Sequence, residues 1–218
     1  MVRTDRGCVD VTEVTQAAYA AFLASSPGAQ PAECSWNTSY VPGQQMNGFV
    51  CSPGLFDPSG RPDHPVRCVD WCDAVMFCAW AGKRLCGGVG GQQLGLASFA
   101  DPAASVWMNA CSRGGTLTYP YGPVYTPDAC QGAHDAGTDP SAVASAPSCV
   151  GGFPGLFDMS GNVEEWEDAC DRDGGEDANC RLRGGGVYNT AAGLACASDH
   201  SAGRQGMGPA IGFRCCAP

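Results

Sequence analysis

The chain has 218 residues and a formal net charge of -10 at pH 7, which excludes function classes that need a basic surface, such as binding to nucleic acids or anionic membranes. No apolar run approaches the roughly 20 residues of a membrane span, and no signal peptide is recognisable, although a mature chain with an added start methionine would have the same pattern. The 31 glycines and 16 prolines predict many turns, little regular secondary structure and a single domain over residues 1–218.

The first two predicted elements are helices over residues 15–24 and 71–81. Apolar residues recur in both at helical spacing. The expected buried faces are Ala17, Ala18, Ala21 and Phe22 in the first helix, and Ala74, Phe77, Cys78 and Ala81 in the second. Asp70 is the expected N-cap of the second helix, and Gly82 is expected to end it.

A third helix is predicted over residues 102–110, because Asp101 followed by proline is a typical helix start. Beyond Gly114 the chain is expected to form short strands and loops, including residues 180–185 and 211–216. The three helices are therefore confined to the first half of the sequence.

The stretch "GLFDMSGNVEEW" at 155–166 combines an apolar run with an acidic turn. Residues 156–159 are predicted to form a short strand that ends at a Ser-Gly turn. Asn162 and Glu165 would then present oxygen atoms from a tight loop, and Trp166 would anchor that loop in the core. Two interpretations stay open here, a solvated acidic turn and a small site for a hard cation.

Fifteen cysteines are far more than a chain of this length usually contains. No CxxC pair occurs, and His64, His134 and His200 lie far from any paired thiols, so the spacing favours disulfides over zinc sites. A disulfide framework predicts an oxidising compartment, which means a secreted, periplasmic or cell-surface protein. The odd count leaves at least one thiol unpaired or available for a bond between chains.

Seven blocks taken in order resemble the formylglycine-generating enzyme (sulfatase-modifying factor) family. They are "VTEVTQAAYAAFL", "HPVRCVDWCDAVMFCAWAGKRL", "NACSRGG", "YPYG", "GLFDMSGNVEEW", "RLRGGG" and "IGFRC". They span nearly the whole chain. The resemblance implies one compact α+β domain with little regular structure and a C-type-lectin-like fold, here rich in disulfides.

The resemblance also implies a calcium ion at the acidic turn. Asn162, the Val163 carbonyl and Glu165 fall on the family's ligand positions, and a mixture of side-chain and backbone oxygens suits Ca²⁺. In the loop that holds a second family site, Gln131 stands near an expected asparagine and Asp139 is a loose candidate. We predict only the first site.

Two disulfides are implied by the resemblance, Cys78–Cys215 and Cys111–Cys196. The remaining cysteines are additions to the family pattern. Proximity along the chain suggests three local pairs among them, Cys34–Cys51, Cys130–Cys149 and Cys170–Cys180.

The resemblance is incomplete at the reactive centre. Active members of the family oxidise a cysteine of a sulfatase peptide to formylglycine with O₂ and a copper(I) ion held by two thiols. The corresponding stretch here, residues 184–196, contains Cys196 alone. An iron-dependent branch of the fold needs three converging histidines and a further helical domain, and the three histidines of this chain are scattered. Copper is therefore not expected as a cofactor, and no catalytic residue is predicted.

Non-catalytic relatives of this fold bind ligands through the face that the enzymes use for catalysis. In this chain that face is residues 187–208, and its candidate contacts are Tyr188, Asn189, Asp199, His200 and Arg204. The sequence thus predicts a calcium-binding, disulfide-stabilised module that binds a protein or glycan. Two alternatives stay open: a divergent copper-dependent formylglycine-generating oxidase, and a structural subunit or homo-oligomer crosslinked through the odd cysteine.

Overall fold

Eight short strands and three α-helices make up the regular structure of a computed structural model that describes residues 1–43, 51–132, 139–171 and 175–218. The helices are α1 (Gln16–Ala24), α2 (Trp71–Trp80) and α3 (Val106–Ser112). The strands are β1 (Val2–Thr4), β2 (Gly7–Val9), β3 (Arg84–Leu85), β4 (Glu164–Cys170), β5 (Asn179–Arg183), β6 (His200–Gly203), β7 (Ile211–Phe213) and β8 (Cys215–Ala217). This content confirms the predicted α+β class.

The strands form two four-stranded sheets. The first has the order β1-β2-β8-β3 and joins the two ends of the described chain, while the second has the order β6-β5-β4-β7. Within the second sheet β4 pairs antiparallel with β5 and parallel with β7. The parallel pair places Glu165 opposite Gly212, so the acidic turn and the chain end "IGFRC" lie side by side.

Helix α1 forms at the predicted place, but its predicted buried face is right only at Phe22. Thr15 caps it, with its hydroxyl accepting from the Ala18 N–H. Its buried residues are Gln16, Tyr19 and Phe22, whereas the three predicted alanines are exposed. The aromatic rings decide the orientation because they remove more apolar area from water than alanine methyls do; Tyr19 stacks on Phe77 of α2 at 5.7 Å between ring centroids.

Helix α2 begins at a reciprocal cap. The Asp70 carboxylate accepts from the Asp73 N–H, and the Asp73 carboxylate accepts from the Asp70 N–H, which satisfies two donors that a helix start leaves unpaired. Helix α3 starts four residues later than predicted, at the Ser105 cap, because Asp101 instead closes a local turn onto Ala103.

None of the helices in the described ranges has the length and apolar character that a bilayer crossing requires.

Seven disulfides join fourteen of the fifteen cysteines, all of which are described, and leave Cys8 free. The bonds include Cys78–Cys215 and Cys111–Cys196, the two pairs that the resemblance implies. Cys130–Cys149 and Cys170–Cys180 also form. The proximity guess Cys34–Cys51 is wrong, because Cys34 bonds Cys72 and Cys51 bonds Cys68. Folding brings α2 against residues 32–34, so distance along the chain misleads here.

The capping carboxylates of α2 predict a pH dependence of stability. Burial raises the pKa of Asp70 from 3.8 to about 7, and burial together with Asp70 raises the pKa of Asp73 well above its ordinary value. The folded protein therefore keeps a proton that the unfolded chain loses near pH 4. Stability from this source is complete below about pH 4 and is lost as the pH rises to about 7.

We expect the variant Asp70→Asn, which keeps a capping oxygen, to remove part of this loss. The difference in free energy of unfolding, variant minus wild type, should increase by at most about 1.4 kcal/mol for each pH unit between about pH 4 and 7. Urea unfolding at several pH values measures both proteins. Parallel profiles would show that the carboxylate pair is already ionised in the fold.

Candidate functional site

The predicted strand at residues 156–159 is wrong, because this segment makes a single bridge, between Phe157 and Val150, and Asp158 has a φ of +56°. The turn that follows is held tightly. Gly161, at φ +78°, lies so close to the Gln131 carbonyl that a Cβ there would approach its oxygen to 2.0 Å. Asn162 then donates its N–H to the same carbonyl at 3.0 Å. The backbone thus fixes the start of β4, where the candidate residues lie.

Glu165 points into the core rather than out of a loop. Arg214 donates to Oε1 from Nη2 at 2.7 Å and to Oε2 from Nε at 2.8 Å. The indole Nε1 of Trp107 donates to Oε2 at 2.8 Å. Both charged side chains are buried, with side-chain exposures of 0% for Arg214 and 1% for Glu165. Burial opposes the Arg214 charge, but the Glu165 carboxylate outweighs it and holds the pKa of Arg214 above its ordinary value.

The Asn162 side chain is also engaged by protein partners. Its Oδ1 accepts from the Ser141 N–H at 2.9 Å, and its Nδ2 donates to Glu13 Oε1 at 3.0 Å. Calcium takes six to eight oxygens at 2.3–2.6 Å, whereas the oxygens of Asn162 and Glu165 serve separate hydrogen bonds. No group of three or more His, Cys, Asp or Glu residues suited to a metal occurs in the described ranges. Calcium at this turn stays a prediction from the sequence.

The second family site has a comparable arrangement. Asp139 accepts from Arg61 at 2.9 Å and from Arg67 at 3.2 Å, and these arginines lower its pKa. Gln131 donates its amide to the Asp139 carbonyl at 3.0 Å and accepts from the Ser141 N–H. Protein donors thus engage the side-chain oxygens of both candidate residues. His134 lies outside the described residues.

Sequence reasoning missed two buried carboxylates beside the turn. Glu13 is bonded to Asn162 through one oxygen, and its other oxygen has no hydrogen-bond partner in the described part of the chain. Burial and then the Asp158 carboxylate raise the pKa of Glu13. Asp158 accepts from the Ala144 N–H at 2.6 Å and lines a cavity of about 350 Å³. The position of Glu13 within "VTEVT" and of Asp158 within "LFDM" could have predicted that both acids are buried, because each is surrounded by apolar or β-branched residues.

Three side chains converge on the predicted ligand face. The His200 ring lies 2.6 Å from Glu164 through Nδ1 and Oε1, and 3.4 Å from the Asn189 amide. Asn189 also accepts from the Gly186 N–H at 2.9 Å, which fixes the loop after β5. Tyr188 stands beside this group with 57% of its surface exposed. The arrangement offers one aromatic ring and several hydrogen-bonding groups on β4, β6 and the loop between β5 and β6.

Arg204 is not part of this face. It is only 5% exposed and lies over the Trp71 ring, with Cζ 4.5 Å from the ring centroid. Asp199 remains at the surface, where it pairs with Arg181. The sequence could not separate these cases because both residues are polar members of the same irregular segment.

A buried ion pair supports the face from beneath. Arg183 Nε lies 3.2 Å from Glu167 Oε2, and both side chains are fully buried. Arg183 also donates to the Cys196 carbonyl at 2.8 Å, and Cys196 is bonded to Cys111. Residues 184–196 therefore contain one sulfur, and that sulfur is held in a disulfide. The free Cys8 lies on β2, in the other sheet.

Comparison with known proteins places this geometry in context. A model of the sulfatase-modifying factor enzyme 1-like domain matches residues 3–217. The chain is 34% identical over 142 residues to the formylglycine-generating enzyme of Thermomonospora curvata. This aligned region covers 54% of this chain and 40% of that protein. It is 32% identical over 166 residues to the inactive C-alpha-formylglycine-generating enzyme 2 of Mus musculus. Here the aligned region covers 69% of this chain and 48% of that protein.

The fold is similar to that of the solved structure of CarF. The TM-score is 0.62 at 22% sequence identity, and the superposition covers 96% of this chain and 85% of that chain. The chain spans less than half the length of the two curated relatives named above.

Proposed function

The chain belongs to the sulfatase-modifying factor enzyme 1-like family, as its sequence blocks predicted, and we propose that it is a non-catalytic binding module of that family. The observation that carries the proposal is the state of the sulfurs. Copper(I) chemistry of the family's active members needs two thiolates at one open site. Here the one cysteine in residues 184–196 is bonded to Cys111, and Cys8 is the single free thiol among the described residues.

Two further findings support the same function. The relative from Mus musculus is named as inactive, so the family contains members without the enzymatic activity. The walls around the former reactive centre are retained here, because the Glu165–Arg214 and Glu167–Arg183 pairs hold β4, β5 and the chain end together. A rigid face without its reactive thiols is suited to binding rather than turnover.

The chemistry of the face favours a glycan as the ligand. Tyr188 is its one large exposed aromatic side chain among the described residues, whereas a stable protein interface usually buries about 800 Å² per partner around several aromatic or arginine anchors. One ring that can stack on a sugar, with Asn189, His200 and Glu164 as hydrogen-bonding groups, matches a saccharide better. The dense disulfides are consistent with an oxidising compartment, and we place the protein at the cell surface, in the periplasm or outside the cell.

An array of neutral and acidic oligosaccharides tests this function. Binding should weaken at least about tenfold in Tyr188→Ala, the effect of truncating a central aromatic contact. Val11→Ala is the matched control, because Val11 is 37% exposed and borders a groove with residues of α1 and α2, none of which belongs to residues 187–208. Loss of binding in both variants, or in neither, would contradict the assignment of the face. If the protein binds no oligosaccharide on the array but binds other proteins, the ligand of this face is a protein instead.

A further inference from the structure

The outward faces of α1 and α2 carry no charge. A surface helix usually has charged residues on the side that faces solvent, and a helix that is apolar all round is usually covered by another element. Helix α1 contains no charged residue, and the one charged residue of α2, Asp73, is buried. The exposed residues of both helices are all apolar, and they are Ala17, Ala18, Ala21, Ala24, Ala79 and Trp80. This surface is therefore expected to have a partner.

A groove of about 430 Å³ lies beside this surface, between residues 10–15, Ala18 of α1 and the C-terminal end of α2. Six large apolar side chains are exposed in the described ranges, and three of them line this groove: Met1 at 48%, Val11 at 37% and Trp80 at 45%. Single exposed apolar residues are normal, whereas a group of them on one patch marks an interaction site. The groove shares no lining residue with the ligand face at residues 187–208.

Trp80 has the properties of an interface anchor. Its ring lies edge-on to Phe22 at 5.7 Å and tilted against Phe77 at 5.6 Å between ring centroids, while nearly half of its surface remains exposed. A partner would therefore contact a ring whose orientation is already fixed, which lowers the entropy cost of binding. Tryptophan is also among the residue types that most often dominate the binding energy of an interface.

The charges at the groove favour a second copy of this chain as the partner. Three charged residues line it. Glu13 is buried and accepts from Asn162 at 3.0 Å, and Lys83 donates to Asp10 at 2.6 Å, so the accessible charges are one base and one acid. The protein as a whole has a net charge of -10, and two copies repel each other at most orientations. On this face they can meet without placing like charges opposite each other.

We propose that the protein forms a two-fold homodimer through this apolar face, with Trp80 of each copy lying in the groove of the other. A two-fold interface pairs the same patch of both copies, so the patch must contain both a protruding group and the groove that receives it. Both lie side by side here, and the Asp10–Lys83 pairs of the two copies match across the axis. The contact uses no residue of the ligand face, so it stands or falls separately from the proposed glycan binding.

Sedimentation equilibrium of the whole protein tests the proposal, because the dimer has twice the monomer mass of 22.4 kDa. We expect a dimer with a Kd of about 1–100 µM. Ala18→Glu places a carboxylate in the groove without changing a core contact and should weaken the dimer at least about tenfold. Trp80→Ser, which removes the anchor, should do the same. Ala97→Glu is the matched control, because Ala97 is exposed and does not line the groove, and its Kd should equal that of the wild type.

Cys8→Ser separates this contact from a disulfide between chains, since Cys8 is the free thiol of the protein. The dimer should persist in this variant, and its loss would overturn the proposal. Equal Kd values for Ala18→Glu and Ala97→Glu would overturn it as well. A protein that stays monomeric up to about 500 µM would also contradict it, and co-sedimentation of that monomer with phosphatidylcholine vesicles would assign the face to lipid instead.

Discussion

Glu165→Ala is expected to lower the free energy of unfolding by about 3–5 kcal/mol, because it leaves the fully buried Arg214 guanidinium without its counterion. The Trp107 indole loses its acceptor at the same time. Urea unfolding measures the change. Since the carboxylate is engaged by Arg214, the loss should be equal with and without a calcium chelator.

Two further variants make this expectation specific. Glu164→Ala, one residue earlier, removes a carboxylate that faces His200 at the surface and should cost no more than about 1 kcal/mol. Arg214→Met combined with Glu165→Ala should cost less than the two single changes together, because no buried charge is left unpaired. A loss in Glu165→Ala that disappears when chelator is present in both samples would show that an ion, not Arg214, is the partner of Glu165.

Removal of the Cys78–Cys215 disulfide should have a comparable effect. The bond joins residues separated by 137 positions, but the Cys86–Cys216 bond keeps nearly the same loop closed. Removal of Cys78–Cys215 alone therefore opens a loop of only about ten positions, to which the chain-entropy model assigns about 3 kcal/mol. The matched control is the Cys170–Cys180 bond, with a separation of 10, for which the same model gives about 3 kcal/mol. All four cysteines are fully buried, so paired alanine substitutions create similar cavities.

Denaturant unfolding without reductant compares the two double variants. The two double variants should be destabilised to within about 1 kcal/mol of each other, because Cys86–Cys216 keeps the long loop closed. A loss in Cys78→Ala/Cys215→Ala that is larger by about 2 kcal/mol or more would contradict this, because it would show that the Cys86–Cys216 bond does not keep the long loop closed.

The helices show which local features the sequence could predict. The Asp70 cap and the Gly82 end of α2 are local patterns, and the structure forms the helix between them. The buried face of α1 was predicted correctly only at Phe22, because alanine spacing alone does not reveal that Tyr19 packs against α2. Which side of a short helix is buried depends on the elements that it meets.

The candidate site shows the corresponding limit for side chains. The blocks "GLFDMSGNVEEW" and "IGFRC" each suggested a strand with polar residues, and pattern alone allowed Glu165 to point outwards. Its burial follows from Arg214, which is 49 residues away in the sequence and directly follows β7, the strand that pairs with β4. Tyr188 was predicted as exposed and is exposed, whereas Arg204 is buried on Trp71 for a reason that lies outside its own segment.

Aldehyde formation on a sulfatase-type cysteine peptide tests the central claim most directly. The protein is incubated with peptide, copper(I) and reductant, and the product is analysed by mass spectrometry, with the formylglycine-generating enzyme of Thermomonospora curvata as positive control. We expect no conversion above a sample without protein, because Cys196 is bonded to Cys111 and the free Cys8 lies in the other sheet. Conversion above that background would contradict the non-catalytic function.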